Sequence, residues 1–310
     1  MLKLSVNLIR KLIKRGNTFS NLNRKLTILP GTIYSEYAVP IEYLPSRDFN
    51  PRYGASKPVI ESLQKWFENY KNDYFEMLNF MRSLNVDHIE LSLNDKVKIP
   101  QPAWMGGPIS SFDSLALYAM ILKNKPKRYF EIGSGMTTCF ARQAINDAKL
   151  SPKIVSIDPQ PRGDIDSICD EFIRDGLETC DLSVFDELES GDILFFDGSH
   201  RIFMNSDVTV FFIDVLPRLK PGVIIHIHDI LLPYDYPDSF KHWYWNEQYI
   251  LAVYLMNAKH RINPLFPTAF VCRDKLFNKV LQKPFIDLGS SENNLSWNGG
   301  GSMWFTHTAN

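Results

Sequence analysis

From residue 101 onward the chain alternates short apolar runs with segments of helical spacing. Four of the runs are predicted to be strands: Arg128–Ile132, Lys153–Ile157, Ile193–Phe196 and Val223–Ile227. Three of the segments are predicted to be helices: Thr138–Ala148, Ile165–Arg174 and Phe211–Leu216. Apolar strands alternating with helices are typical of a parallel sheet covered by helices on both faces. The pattern therefore predicts an α/β fold whose ligands bind at the carboxyl ends of the strands.

The segment before residue 101 has a different pattern. Residues 40–60 contain four prolines and are predicted to be extended and rich in turns. Apolar side chains then recur at helical spacing through residues 62–84: Leu63, Trp66, Phe67, Tyr70, Tyr74, Met77, Leu78 and Met81. We interpret this stripe as a packing face, with a substrate-lining role as the alternative. Pro100 and Pro102 mark the predicted boundary between an N-terminal region, 36–100, and the main domain, 101–310.

The first 35 residues form a predicted basic tail. They carry seven lysines and arginines, and the first acidic residue is Glu36. Leu4, Leu8 and Leu12 lie near helical spacing, so a short amphipathic helix fits this segment. A loosely docked tail, weak contact with a membrane surface and an organelle transit signal all stay open.

Composition and charge exclude several classes of protein. The 310 residues include 34 basic and 35 acidic ones, for a net charge of −1, so no overall field favours nucleic acid. The four cysteines are widely spaced and contain no CxxC pair, which argues against a disulfide scaffold or a cysteine zinc site and fits the cytoplasm. No stretch approaches the ~18 uninterrupted apolar residues of a membrane span. We expect a soluble protein that binds small molecules rather than nucleic acid.

Two of the predicted strand ends have the features of a nucleoside site. Gly133 and Gly135 follow the first strand and allow a sharp turn close to a ligand. A dinucleotide fingerprint would place a third glycine at position 138, where this chain has Thr138. Asp158 ends the second strand, about 20 residues past the glycine turn, where a carboxylate can accept hydrogen bonds from ribose hydroxyls.

The other two strand ends carry acids and imidazoles. Asp197 ends the strand Ile193–Phe196, and His200 follows three residues later. His228 and Asp229 end the strand that begins at Val223. His226 shares a strand face with His228, but we interpret it as a core histidine outside the site. Oxygen and nitrogen donors at neighbouring strand ends predict a site for one divalent cation, such as Mg²⁺ or Mn²⁺.

With these motifs the chain resembles the class I S-adenosylmethionine-dependent methyltransferases, closest to the bacterial branch that modifies sugars and other small molecules. The resemblance covers residues 105–310 and is carried by four motifs: EIGSGMTT at 131–138, SIDP at 156–159, DILFFDGSH at 192–200 and PGVIIHIHD at 221–229. It implies a Rossmann-like, seven-stranded, mostly parallel sheet with helices on both faces. Thr268–Cys272 and Ser302–Thr306 are the expected last hairpin, joined by a loop at Gly289–Gly301.

The resemblance also implies roles for the strand-end residues. The acid and the glycines of the first motif, Glu131, Gly133 and Gly135, would contact the methionine part of S-adenosylmethionine, and Asp158 would bind its ribose. Metal-dependent members hold Mg²⁺ at positions that match Asp197, His228 and Asp229, although an imidazole at the place of His228 is a departure from the family. In these enzymes a base lies three residues after the acid that corresponds to Asp197, and His200 matches that position.

The expected function is therefore O-methylation of a sugar or another small-molecule hydroxyl, with His200 as a general base whose pKa lies near 7. The alternatives are a nicotinamide-dependent oxidoreductase and a non-catalytic nucleoside-binding module. Tyr234, Tyr236, Trp243 and Tyr244 form a stacking floor for a sugar ring or anchor the next helix, and both interpretations stay open. Residues 104–107 are expected to cover the cofactor. The acceptor and the oligomeric state are left open.

Overall fold

A computed structural model describes residues 50–308, apart from positions 55, 93–97, 242, 288–294 and 298. The basic tail at 1–35, residues 36–49 of the proline-rich region and part of the expected loop at 289–301 lie outside the described residues.

The core of the described chain is a seven-stranded sheet. Its strands are β1 Arg128–Ile132, β2 Lys153–Ile157, β3 Glu171–Ile173, β4 Ile193–Phe196, β5 Ile224–Ile227, β6 Ile262–Pro267 and β7 Met303–His307. They lie in the order β3-β2-β1-β4-β5-β7-β6. Strands β1 to β5 are parallel, and β7 runs antiparallel to β5 and β6. This confirms the predicted Rossmann-like, mostly parallel sheet, and the strand order reverses between β1 and β4.

Helices connect and flank the strands. They are α1 Glu61–Glu68, α2 Lys71–Ser83, α3 Ser111–Asn124, α4 Met136–Asp147, α5 Asp207–Val210, α6 Glu247–Asn257, α7 Thr268–Arg273 and α8 Asn278–Leu281. Helix α5 continues as a π-helical turn over Phe211–Val215. Single 3₁₀ segments occur at Asp166–Ile168, Leu182–Glu187, Leu216–Arg218, Asp238–Phe240, Lys259–Arg261 and Lys275–Phe277. Across the described ranges, every helix is too short or too polar to span a membrane.

The aromatic stripe of the N-terminal helices lies in the core. The single helix expected over 62–84 is two helices, α1 and α2, which are separated at Asn69 and Tyr70. Phe67 packs against Phe270 at 5.6 Å between ring centroids, and Tyr74 lies 6.2 Å from the same ring. The described residues from Asn50 onward pack as one unit, and the boundary at residue 101 stays a prediction.

Two predicted elements are wrong. The helix expected over Ile165–Arg174 is a 3₁₀ turn followed by β3, because this segment pairs with β2 and Asp170 accepts a hydrogen bond from the backbone of Ile154. The strand expected at Thr268–Cys272 is helix α7, and the strand that pairs with β7 is β6. Pro264 and Pro267 interrupt the sequence pattern that would predict strand β6, because proline is rare inside strands. Proline is tolerated here because β6 is an edge strand.

Candidate active site

The glycine turn after β1 lies against the end of β4. Gly133 has φ +80°, and a Cβ added there would lie 1.9 Å from the backbone oxygen of Asp197. The turn is closed by Thr138, whose hydroxyl oxygen accepts a hydrogen bond from the Gly135 amide at 3.0 Å. The residue that replaces the third glycine of a dinucleotide fingerprint is therefore fully buried and part of the turn.

A cleft of about 500 Å³ opens at the carboxyl ends of β1, β2 and β4. Four of the residues predicted from sequence line it: Gly133, Gly135, Asp158 and Asp197. A volume of this size is typical of pockets for small molecules and cofactors. The cleft lies where the strand order reverses, at the place where ligands of doubly wound sheets bind.

Asp158 is held in place by the two turns that it joins. Its Oδ2 accepts a hydrogen bond from the Ser134 amide at 2.7 Å, and its Oδ1 accepts one from the Gln160 amide at 2.7 Å. An ionised carboxylate has about four acceptor positions, so each oxygen keeps capacity for a further donor. This leaves the carboxylate able to bind the two hydroxyls of a ribose.

Glu131 lies behind the glycine turn rather than in the wall of the cleft. Its side chain is fully buried, the Thr137 hydroxyl donates to Oε1, and Oε2 has no hydrogen-bond partner among the described residues. Burial raises the pKa of Glu131 to about 8, against the hydrogen bonds of Thr137 and Thr138, which lower it. The predicted contact of Glu131 with the methionine part of the cofactor stays a prediction.

We expect the variant Glu131→Gln to remove part of the loss of stability between pH 4.5 and about 8. The folded state binds the proton of Glu131 more tightly than the unfolded state, so stability is full below pH 4.5 and falls as pH rises towards 8. The slope from this group is at most about 1.4 kcal/mol per pH unit. Glutamine keeps the acceptor for Thr137 and does not ionise. Urea unfolding of both proteins from pH 4 to 9 tests this, and parallel curves would contradict it.

Asp197, His200 and Asp229 come together beside the cleft. The His200 Nε2 lies 3.5 Å from Asp197 Oδ1 and 3.5 Å from Asp229 Oδ2. His200 and Asp229 both have left-handed backbone conformations, with φ of 62° and 52°. Such conformations are costly for residues other than glycine and cluster at functional sites. The structure thus brings the predicted base and both predicted acids to one point.

A residue that the sequence analysis missed completes this cluster. Glu247 is fully buried at the start of α6, and its Oε1 lies 2.5 Å from His200 Nδ1. The pair fixes the imidazole so that Nε2 faces Asp197 and Asp229. Glu247 lies 47 residues after His200 in the chain. An acid in the first turn of a helix is usually explained by the helix dipole, so no local pattern marked it.

The three carboxylates control the charge of His200. Burial lowers the pKa of this imidazole, but Glu247, Asp197 and Asp229 outweigh that effect and raise the pKa to about 9. These carboxylates favour the protonated imidazole in the ligand-free protein, while burial raises the pKa of Glu247 to about 7. This corrects the expectation of a base with a pKa near 7, because the sequence did not reveal how many carboxylates surround it.

His228, the third predicted metal ligand, borders the cluster, with its Nε2 3.9 Å from Asp229 Oδ1, and its role as a ligand stays a prediction. Within the described residues, the group of donor atoms close enough to share one cation is Asp197, His200 and Asp229, all within 4.8 Å of one another. His228 instead directs Nδ1 to Ser302 Oγ at 3.3 Å. His226, which the prediction left out of the site, is buried and stacks on Phe195 at 3.9 Å.

We expect Glu247→Gln to lower kcat by about tenfold, whereas Glu247→Ala should lower it by about a hundredfold and also destabilise the fold. Glutamine preserves the acceptor for His200 Nδ1 and removes only the charge, whereas alanine leaves the imidazole without its buried partner. The measurement is kcat and acceptor KM for both variants, with S-adenosylhomocysteine affinity as the control. Equal effects of the two variants, or a loss of cofactor affinity alone, would contradict a positioning role.

Comparisons with known proteins give one family match and several similar solved structures. Residues 130–230 match a family model described as a methyltransferase domain. Among solved structures, the chain is similar to an S-adenosylhomocysteine-bound methyltransferase of Podospora anserina, at 18% identity and a TM-score of 0.36, over 69% of this chain and 94% of that one. A plantazolicin methyltransferase, BpumL, in complex with S-adenosylhomocysteine shares 13% identity at a TM-score of 0.36, over 81% and 95% of the two chains. No curated protein matches.

The family match and the observed order of the strands are the two findings that bear on the function of this domain. The match covers β1 to β5 and the four strand ends that line the cleft or form the cluster. The family match favours neither of the alternatives that the sequence left open, the nicotinamide-dependent oxidoreductase and the non-catalytic nucleoside-binding module.

Proposed function

We propose that this S-adenosylmethionine-dependent methyltransferase transfers the methyl group to a hydroxyl of a small molecule, with a sugar as the acceptor class. The observation that carries the proposal is the position of Asp197. This residue lines the cofactor cleft and also lies 3.5 Å from His200. A methyl donor in the cleft and an acceptor at His200 would therefore be neighbours.

The cleft suits the donor in shape and charge. In the proposed complex, Asp158 accepts hydrogen bonds from the ribose, and the turn at Gly133 and Gly135 lies along the methionine part. Asp158, Asp197 and Asp207 all line the cleft, so a sulfonium cation meets several acidic side chains. Attraction between these charges favours the cationic donor over the neutral product, because the product has lost the positive charge at sulfur.

His200 is the residue proposed to receive the proton of the acceptor hydroxyl, which only its neutral form can do. In the proposed complex the positive sulfonium beside Asp197 lowers the pKa of the imidazole and favours that neutral form. A hydroxyl oxygen is a weak nucleophile until its proton is withdrawn, and general-base catalysis typically contributes 10²–10⁴-fold. Holding the two reactants in line in adjoining sites contributes further, up to ~7 kcal/mol or more in favourable cases. Glu247 keeps Nδ1 occupied, so that Nε2 is the atom that faces the acceptor side.

A divalent cation is compatible with the same residues. Two carboxylates and one imidazole suit Mn²⁺, and a carboxylate behind the ligating histidine is the usual outer partner of such a site. Asp197, Asp229 and His200 would hold the cation, with His200 in place of the His228 expected from sequence. A bound cation would polarise the acceptor hydroxyl and lower its pKa. One imidazole nitrogen does not bind a cation and accept a proton at once, so the two roles of His200 are experimentally distinct.

The test combines binding and turnover. Calorimetry with S-adenosylhomocysteine and with NADH should show affinity for the first alone. The protein is then incubated with methyl-labelled S-adenosylmethionine and small-molecule fractions of a lysate, with EDTA or with added Mn²⁺, and the labelled product is identified. A labelled O-methyl sugar supports the proposal. Label on nitrogen, carbon or protein would contradict the acceptor class, and affinity for NADH alone would contradict the donor. Loss of labelling in EDTA that added Mn²⁺ restores would show that turnover needs a divalent cation.

A further inference from the structure

An aromatic surface lies directly beside the catalytic cluster. The Trp245 ring is 4.0 Å from the His200 imidazole, and the Trp243 ring is 4.6 Å from that of Trp245. Phe240 lies 4.5 Å from Trp243 and 5.0 Å from Trp245. We call Phe240, Trp243 and Trp245 the aromatic wall. It begins in contact with His200 and extends away from the cluster.

The wall is fixed to the same turn that carries His200. The Asn246 amide donates to the His200 backbone oxygen at 3.0 Å, and Asn246 Oδ1 accepts from the Ile202 amide at 2.7 Å. Arg201 donates through Nε to the Trp243 backbone oxygen at 2.9 Å. These bonds join two segments more than forty residues apart, 200–202 and 243–246. The wall is therefore preorganised relative to the imidazole.

Packing explains only part of the wall. Phe240 and Trp245 pack against the small cluster of Leu231, Tyr236 and Ala269, which anchors the segment before α6. Trp243, in contrast, has 44% of its surface exposed, and it is linked to the cluster through Trp245, which contacts His200. An exposed tryptophan held rigidly beside a reactive cluster is available to bind a ligand.

We propose that the aromatic wall is the acceptor subsite and that it binds a sugar ring stacked on Trp243. This inference rests on the proposed function. A sugar has an apolar face of C–H groups that suits an open aromatic surface, and its several hydroxyls suit Asp197 and Asp229, which only accept hydrogen bonds when ionised. A phenol has one or two donors and would leave most of these acceptors unused. The open wall and the paired acids favour the sugar.

The test uses the full chain saturated with S-adenosylhomocysteine and a panel of methyl hexopyranosides, with catechol as the competing chemistry. Saturation-transfer NMR should show transfer to ring protons of at least one glycoside with the wild type. Trp243→Ala should abolish this transfer, and Trp243→Phe should retain it. The acceptor KM measured with labelled donor should rise about tenfold in Trp243→Ala with little change in kcat. Phe172→Ala is the matched control, because Phe172 is an exposed aromatic residue on β3 away from the wall.

The outcomes separate this inference from the proposed function. If the wild type does not bind S-adenosylhomocysteine, the function itself fails. If it binds the cofactor and methylates an acceptor, but Trp243→Ala behaves like Phe172→Ala, only the subsite is wrong. Transfer to catechol with no transfer to any glycoside would also overturn the sugar assignment.

Discussion

Replacement of His200 by asparagine is expected to remove most methyl transfer and to leave cofactor binding nearly unchanged. We expect kcat to fall by about 10²–10⁴-fold, because the imidazole nearest the acceptor hydroxyl is lost whether it accepts a proton or binds a cation. Asparagine is the better replacement because His200 has φ 62°, a conformation that asparagine tolerates. His200→Ala should lose the same activity and about 1 kcal/mol more stability.

The decisive measurements are kcat with labelled donor and the dissociation constant for S-adenosylhomocysteine. His260→Asn serves as the control, since His260 is an exposed histidine in the 3₁₀ turn after α6. A His200→Asn protein that folds and turns over like the control would remove His200 from the mechanism. A protein that fails to bind the cofactor would show that His200 supports the cleft rather than the chemistry.

Replacement of Gly133 by alanine should abolish cofactor binding. A Cβ at this position would lie 1.9 Å from the Asp197 backbone oxygen, so the turn after β1 and the end of β4 must move apart. That movement displaces both the glycine turn and Asp197, which line the cleft together. We expect S-adenosylhomocysteine affinity to fall at least a hundredfold, and roughly 1–3 kcal/mol of stability to be lost from the overlap.

Gly191→Ala is the matched control for this variant. Gly191 has φ +88°, close to that of Gly133, but an added Cβ there meets no atom within 4 Å. The control therefore carries the cost of a left-handed alanine, and the difference between the two variants isolates the steric contact. Calorimetric affinity and urea unfolding measure the two effects. If Gly133→Ala binds S-adenosylhomocysteine as well as Gly191→Ala does, the glycine turn is not part of the cofactor site.

The central strands were predictable because each is buried on both faces. β1, β2, β4 and β5 are short apolar runs with a polar residue at the end, and burial alone gives them their pattern. β3 and β6 lie at the two edges of the sheet, where burial is partial and pairing with one neighbour decides the conformation. A three-residue strand and a strand with two prolines have no periodicity that a sequence pattern can detect.

The part of the site that follows directly from neighbouring strand ends could be predicted from the sequence. Asp197, His200 and Asp229 come together because β4 and β5 are adjacent and parallel. His228 shares a strand face with His226, which stacks on Phe195 and contacts Trp304, and its Nε2 lies 3.9 Å from Asp229 Oδ1 at the border of the cluster. Asp229 lies just after β5 and has a left-handed φ of 52°, so the alternation of side chains along the strand does not set its direction. Glu247 comes from helix α6, which is separate from both strands. Neither feature follows from the spacing of residues along one strand.

The edges of the sheet limit how copies of this protein can associate. One edge is β3, with three residues, and the other is β6, whose Pro264 and Pro267 lack amide protons and whose pairing with β7 shifts register between Pro264 and Phe266. Short strands, prolines and irregular pairing all oppose the addition of a foreign strand. Self-assembly by continuation of the sheet from one copy into the next is therefore disfavoured at both ends, which guards this fold against fibrous aggregation.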